Sequence, residues 1–339
     1  MAVLNNTQVQ DRTEAINFVK PIPTLLGSLG FFREEFVGSD AITFDVKDNA
    51  LFVLADQGRN TKDKNSNGID KYDIHTMAIP HYPIESVVSR NQLAGLRGFG
   101  TDTETAIETA VANQLERQAQ KHDYHEEYLK ALMVMSVKID TNFYGSIDMA
   151  TEFGVTRPTA TFDFTSGTVD WASKIRGQVE VSKANLKTGG FVRGYVMFCG
   201  SQFFEGLLTS ATIKEAYVSG NSVMNPLRNE LGEAASGYTM FRFGNVDIIQ
   251  YTDTFVAADG SVIKPLADDK AVLVPRTEMG SIFFGPVSKL SGVGVVGAKR
   301  FASSYRDPKD RYVEVESEQN TLPIISQFGA TVLISGKFV

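Results

Sequence analysis

Four residue patterns in this chain have types and spacings that could do chemistry, and each points to a different reaction. Gly292-Val-Gly294-Val-Val-Gly297 spells the glycine fingerprint of a dinucleotide site. That chemistry needs a strand before the glycines and a helix N-terminus after them, aimed at pyrophosphate. Here Gly285-Pro286-Val-Ser-Lys289 precedes, a poor central strand, and Ala298 to Asp307 leaves room for a short helix at best before Pro308. The string reads as a flexible glycine-valine strand or loop. Asp63-Lys-Asn65-Ser-Asn67-Gly68 matches the first half of a calcium loop, where side-chain oxygens at alternate positions and a sixth-position glycine wrap a hard cation. The twelfth position is Ile74, where a bidentate Glu is required, and the flanks read as strands. Asp63, Asn65 and Asn67 therefore supply half a ligand set on a polar turn. His122 and His125 share a helix face with Asp123 and Glu126. A bundle metal site needs paired Glu-x-x-His motifs on facing helices, and the other histidines, His75 and His81, lie in a different segment. The pair reads as a solvated face whose titration near neutral pH would tune a packing contact. Cys199 is the single cysteine, inside the apolar run Tyr195-Val-Met-Phe-Cys199, so no intrachain disulfide forms and the thiol reads as buried and inert. There is no phosphate loop, Gly-x-Ser-x-Gly elbow or Cys-x-x-Cys. No catalytic residue, metal or cofactor is expected.

The elements that would position these residues are an uncommon set. Residues 1 to 30 read as an arm: Asn5 to Glu14 is polar, and Ile16 to Leu29 is broken by Pro21, Pro23, Gly27 and Gly30. Residues 41 to 88 read as one long hairpin. Ile42, Phe44 and Val46 alternate with polar neighbours, Gln57 to Gly68 is the tip, and Tyr72 to Ile84 returns, with Pro80 and Pro83 restricting it to an edge. A lone two-stranded ribbon is marginal in water, so it needs a surface to lie on. Thr101-Asp-Thr-Glu104 is a capping box that opens a helix over about 102–133. Ile107, Val111, Leu115, Ala119, His122, Leu129 and Leu132 keep one stripe, with no Gly or Pro from Thr101 to Met135. Its middle, Gln118 to Glu127, is polar and reads as a partly exposed strut. Residues 133 to 166 read as strands. From 168 to 270 helix and strand alternate: Asp170 to Asn185 is helical, stopped by Gly189-Gly190, Val192 to Phe198 is a strand, and Phe203 to Tyr217 is helical. Tyr238 to Phe243 and Val246 to Tyr251 flank the hairpin turn Gly244-Asn245. Ala271 to Val274, Ser281 to Phe284 and Thr331 to Ser335 are further strands. The class is α+β.

Composition bounds the function. The chain has 339 residues, 42% hydrophobic and 22% charged, which suits about two globular domains. Lys plus Arg is 33 and Asp plus Glu is 40, a net charge of −7. A nonspecific nucleic-acid binder needs clustered positive charge, so that class is disfavoured, whereas a container that must not stick to a polyanion is allowed. The first residues lack the basic and apolar blocks of a signal peptide, and no stretch approaches about 18 apolar residues in a row, so a cytoplasm-like compartment and no membrane are expected.

Loose arm, projecting hairpin, long strut helix, inserted α/β unit and returning strands occur in an order that resembles the phage major capsid proteins of the Hong Kong 97 fold, in particular the lambda-type capsid protein E family. The stretches that carry it are Phe31-Phe32-Arg33-Glu34 after the arm, Leu93-Ala-Gly-Leu-Arg-Gly-Phe99 before the long helix, Tyr238 to Asp269, Tyr305-Arg-Asp-Pro-Lys-Asp310, the charged strand Tyr312 to Glu318, and Leu322-Pro-Ile-Ile325. The resemblance implies an N-terminal arm (1–30) and an extended loop (31–88, hairpin about 41–88). It implies a peripheral domain (89–167 and 271–339) with a spine helix at about 102–133, and an axial domain (168–270). It implies subunit contacts through Phe18, Phe31, Phe32, Arg33, Glu34, Phe52, Arg59, Lys62, Lys64 and Tyr72. The partners would be copies of the chain in hexamers and pentamers, with scaffolding, portal and decoration proteins as further candidates, around DNA held without specific binding. Assembly in the host cytoplasm and residence in the virion follow. Some relatives join a hairpin Lys to a neighbour's Asn. Lys62, Lys64 and Lys71 are present, but a non-covalent shell is expected. A tail-tube component and a calcium-binding module are the alternatives.

Overall fold

The computed structural model describes residues 9–47, 72–96, 103–166, 169–186, 192–220, 226–235, 237–292 and 294–338. In chain order its strands are β1 (Gln10–Asp11), β2 (Phe32–Phe36), β3 (Ala41–Lys47), β4 (Tyr72–Ala78), β5 (His81–Ser89), β6 (Lys138–Thr141), β7 (Gly145–Asp148), β8 (Thr159–Asp163), β9 (Tyr195–Cys199), β10 (Met240–Phe243), β11 (Val246–Gln250), β12 (Phe255–Val256), β13 (Val262–Ile263), β14 (Lys270–Pro275), β15 (Gly280–Phe284), β16 (Phe301–Arg306), β17 (Tyr312–Ile325) and β18 (Val332–Lys337). Its helices are α1 (Thr13–Phe18), α2 (Leu25–Leu29), α3 (Arg90–Leu96), α4 (Thr103–Met135), α5 (Met149–Phe153), α6 (Trp171–Ala184), α7 (Ser201–Leu208), α8 (Ala211–Gly220) and α9 (Pro226–Leu231). The class is α+β.

Two six-stranded sheets organise the chain. One runs β10-β11-β9-β14-β18-β8. Its central strand β9 is buried at all five positions, and the reason is period-two alternation under cover on both faces. Val196 and Phe198, with Val272 and Val274 of β14, enter one core. Tyr195, Met197 and Cys199, with Ala271 and Leu273, enter another that α6, α7 and α8 close. Gly244, at φ +60°, makes the tight turn between β10 and β11. The other sheet runs β1-β16-β17-β15-β2, with β5 also paired to β17. β5 has β17 as its partner, from Tyr312↔Ser89 to Asn320↔His81, so Pro83 sits on an edge strand as its missing N–H requires. Three two-stranded ribbons stand apart from both sheets: β3-β4, β6-β7 and β12-β13.

The long helix ties these layers together. Its 33 residues span about 50 Å at 1.5 Å per residue. Ile107, Val111, Leu115 and Ala119 enter a core with Val88, Val313 and Val315. Leu129, Met133, Val134 and Met135 enter the core under the first sheet. The guanidinium of Arg157 donates to the carbonyls of Met135 at 2.5 Å and Val134 at 3.2 Å, which satisfies acceptors that the helix end leaves orphaned.

Four expectations change. The helix extends to Met135, and α5 interrupts the strands expected over 133–166. The hairpin return is divided: Tyr72–Ala78 pairs with Ala41–Lys47, then Ile79-Pro80 breaks the run and β5 enters the large sheet. The tip, the capping box at Thr101, and Gly189-Gly190 lie outside the described residues. The arm is not loose over 9–30: Ile16, Leu25, Leu26 and Leu29 are buried against their own chain. Finally, the polar middle of α4 is not exposed. Gln118, His122, Asp123, Glu126, Glu127 and Lys130 are all buried, because arm and strands close over them.

Candidate functional site

The polar residues of α4 meet in a buried seam formed with the arm, the residues just before β16 and the strand β17. They stand at helical spacing on α4, so they share a face. Glu127 accepts from the Leu26 N–H at 2.8 Å and the Gly27 N–H at 3.3 Å, which anchors the start of α2. One turn earlier Asp123 accepts from the Ile22 N–H at 3.3 Å and pairs with the buried guanidinium of Arg300. Arg300 also donates to the Ile16 carbonyl at 3.5 Å. Glu126 bonds Lys130 at 2.6 Å and accepts from Gln319 at 3.1 Å, with Lys299 at 3.6 Å. His122 meets the Ser317 hydroxyl at 2.9 Å, and Gln118 donates to the Val315 carbonyl at 2.9 Å and to Ser86 at 2.7 Å. The facing strand is equally polar: Ser317, Glu318, Gln319, Asn320 and Thr321 are consecutive and all buried.

The electrostatics follow from burial and partners. Desolvation raises the carboxyls of Asp123 and Glu127 above their ordinary range, against Arg300 and the arm's N–H groups. Burial also pushes Glu126 upward, but Lys130, Lys299 and Arg300 outweigh it and hold it below the ordinary value. Burial lowers His122 to about 3, helped by Arg300, and lowers His125 to about 4. The His125 ring lies 4.1 Å from Tyr82 and 5.9 Å from Tyr128. Both histidines are thus neutral packing groups at neutral pH, which corrects the expectation of a solvated, titrating face. Among the described residues there is no cluster of three or more His, Cys, Asp or Glu that could hold a metal.

The glycine fingerprint is part of the loop between β15 and β16, and its glycines have packing reasons. A Cβ at Gly297 would lie 2.1 Å from the Phe284 carbonyl oxygen, and one at Gly292 2.3 Å from that of Val287. Gly294 has φ +79°. A strand, β16, follows where pyrophosphate binding needs a helix. Cys199 is fully buried, and burial raises its thiol well above the ordinary value, so it is unreactive.

The expected contact residues divide. Phe18 is 93% exposed. Phe32 packs partly against the core, Arg33 bonds Glu35 at 2.5 Å, and Glu34 bonds Lys299 at 3.0 Å. Phe31 is a correction: it is fully buried, edge-on to Phe198 at 6.3 Å, and belongs to the core of its own chain. Tyr72 stands opposite Lys47 at the end of the described ribbon. Phe52, Arg59, Lys62, Lys64, Asp63, Asn65 and Asn67 lie outside the described residues, as does Lys71. Sequence reasoning missed two outward apolar side chains, Phe143 at 96% and Leu290 at 98% exposure. Each sits in a short polar or glycine-rich turn, where one large apolar residue among turn formers was the available signal.

Comparison with known proteins places this geometry. The major capsid protein of Pseudomonas phage KPP10 is 25% identical over 332 residues, covering 95% of this chain and 94% of its own. A candidate capsid protein of a prophage in Escherichia coli CFT073 shares the fold at a TM-score of 0.62 and 14% identity, covering 95% of this chain and 94% of its own. The capsid of Ralstonia phage GP4 matches at a TM-score of 0.50 and 12% identity, covering 94% and 93%. A family model described as phage major capsid protein E matches residues 8–335. The chain therefore belongs to the phage major capsid protein E family and is a building block of the head shell.

Proposed function

We propose that the chain is a Hong Kong 97-type shell subunit, with residues 1–30 as its arm and 31–88 as its extended loop. Residues 89–167 and 271–339 form the peripheral domain around the spine helix, and 168–270 form the axial domain. Copies associate as hexamers and pentamers, in the host cytoplasm, into a non-covalent virion shell. The shell encloses DNA without binding it specifically, and the subunit catalyses nothing. The observation that carries this reading is where the two kinds of residue sit. His122, Asp123, Glu126 and Glu127 are taken up inside the fold, while Phe18, Phe143 and Leu290 stand 93%, 96% and 98% exposed. Large apolar side chains left outside mark contact surfaces. The net charge of −7 suits a wall that must release packed DNA. A contact of about 800 Å² per partner is modest alone, but repeated contacts around each subunit close a shell.

Sedimentation velocity across a concentration series tests this. The purified chain is expected to appear as slow subunits below a threshold concentration and as large, fast particles above it. A single slow species at every concentration would overturn the reading.

A further inference from the structure

The turn between β6 and β7 and the residues that follow β15 form a surface that the other described residues leave uncovered. Phe143 and Leu290, the most exposed large apolar residues among those described, both stand there. Their backbones are held firmly. The Thr141 hydroxyl donates to the Gly145 carbonyl at 2.8 Å and accepts from the Tyr144 N–H at 2.9 Å. On the other loop, the Ser288 N–H donates to the Glu318 carboxylate at 2.6 Å, and Lys289 bonds Glu316 at 2.7 Å and Ser303 at 2.6 Å. Beyond Leu290, the Gly297 N–H donates to the Val37 carbonyl at 2.9 Å. Apolar groups held out on pinned turns lose little conformational freedom when a partner covers them.

A trough of about 770 Å³ lies beside the turn, lined by the apolar Ile79, Tyr144 and Leu290 and by the polar Asp40, His81 and Lys289 among others. Tyr144, which follows Phe143 in the turn, lines this trough together with Leu290, so the turn that carries Phe143 borders the recess. A patch that carries both halves of a contact is complementary to itself about a two-fold axis, where residue i meets residue j and j meets i. We infer that this surface is an isologous contact between two copies of the chain, in which Phe143 of each copy enters the trough of the other and covers its Leu290. The occupant is a second copy because the subunit builds its shell from copies of itself, and the inference rests on that reading.

The test is a full-length chain with Phe143→Cys and Leu290→Cys, assembled and then treated with oxidised glutathione. Cys199 can stay, since it is fully buried. A covalent dimer, reversed by reductant, is expected on a non-reducing gel, with less than about a tenth as much from either single substitution. A ladder beyond the dimer would overturn the inference, because it reports a head-to-tail contact. Assembled particles without cross-links would overturn it while leaving the shell reading intact. No particles from the unsubstituted chain would overturn both. A second variant, Phe143→Asp, is expected to keep its helix content and raise the threshold concentration for assembly at least tenfold. An unchanged threshold would contradict the contact.

Discussion

Replacing Arg300 with methionine is expected to cost about 3–5 kcal/mol of folding stability, because it leaves the Asp123 carboxylate buried without its counter-charge. The pair is well inside the protein, with side-chain exposures of 2% for Arg300 and 6% for Asp123. Arg300 further supports the Ile16 carbonyl, and Asp123 holds the Ile22 N–H. The loss should therefore fall first on the arm, seen as faster hydrogen exchange at Ile22, Leu26 and Gly27. A double variant, Asp123→Asn with Arg300→Met, removes both charges and keeps an acceptor for Ile22. It is expected to recover most of the loss, since a matched neutral pair no longer strands a buried ion. Chemical denaturation of the three proteins decides this. Equal losses in the single and double variants would show that the pairing is not what matters.

Acid is expected to unfold this protein through its histidines. Burial lowers His122 to about 3 and His125 to about 4, below the ordinary value of 6.5. Between about pH 6.5 and those values the unfolded chain takes up protons that the folded chain refuses. Stability is then complete above about pH 6.5 and declines as pH falls, by roughly 1.4 kcal/mol per pH unit for each histidine. From pH 6 to pH 4 the pair accounts for about 5 kcal/mol. Asp123 and Glu127 are raised by burial and act in the opposite direction, gaining protons in the folded state as pH falls. The diagnostic is therefore a difference between proteins. His122→Gln, which can still meet Ser317, and His125→Phe, which keeps the ring between Tyr82 and Tyr128, should each flatten the pH dependence of the denaturation midpoint. Parallel curves for parent and variants would remove the histidines as the cause.

The seam shows what the sequence made legible. Apolar periodicity located the long helix, because Ile107, Val111, Leu115 and Ala119 repeat at the helical period and all enter one core. It located β9 and the Gly244 turn for equally local reasons. The same rule failed for Gln118 to Glu127. Polar residues were read as solvated, yet their partners come from about 100 residues earlier, at Ile22, Leu26 and Gly27, and about 180 to 200 residues later, at Arg300, Ser317 and Gln319. A periodicity argument sees the helix alone, and burial of a polar residue depends on whether its charges are matched across the fold. Phe31 was misread in the converse way. An aromatic residue after an arm looks like an anchor for a neighbour, but β2 pairs with β15 of its own sheet and sets Phe31 against Phe198. Phe143 and Leu290 were missed because a single apolar residue in a turn carries no period. Their exposure is a property of the folded surface.

The most direct measurement of the central claim is a cryo-electron microscopy reconstruction of the particles that the purified, full-length chain forms. A closed shell with the chain clustered about fivefold and sixfold positions is the expected result. Open tubes, or dispersed single chains at every concentration, would contradict it.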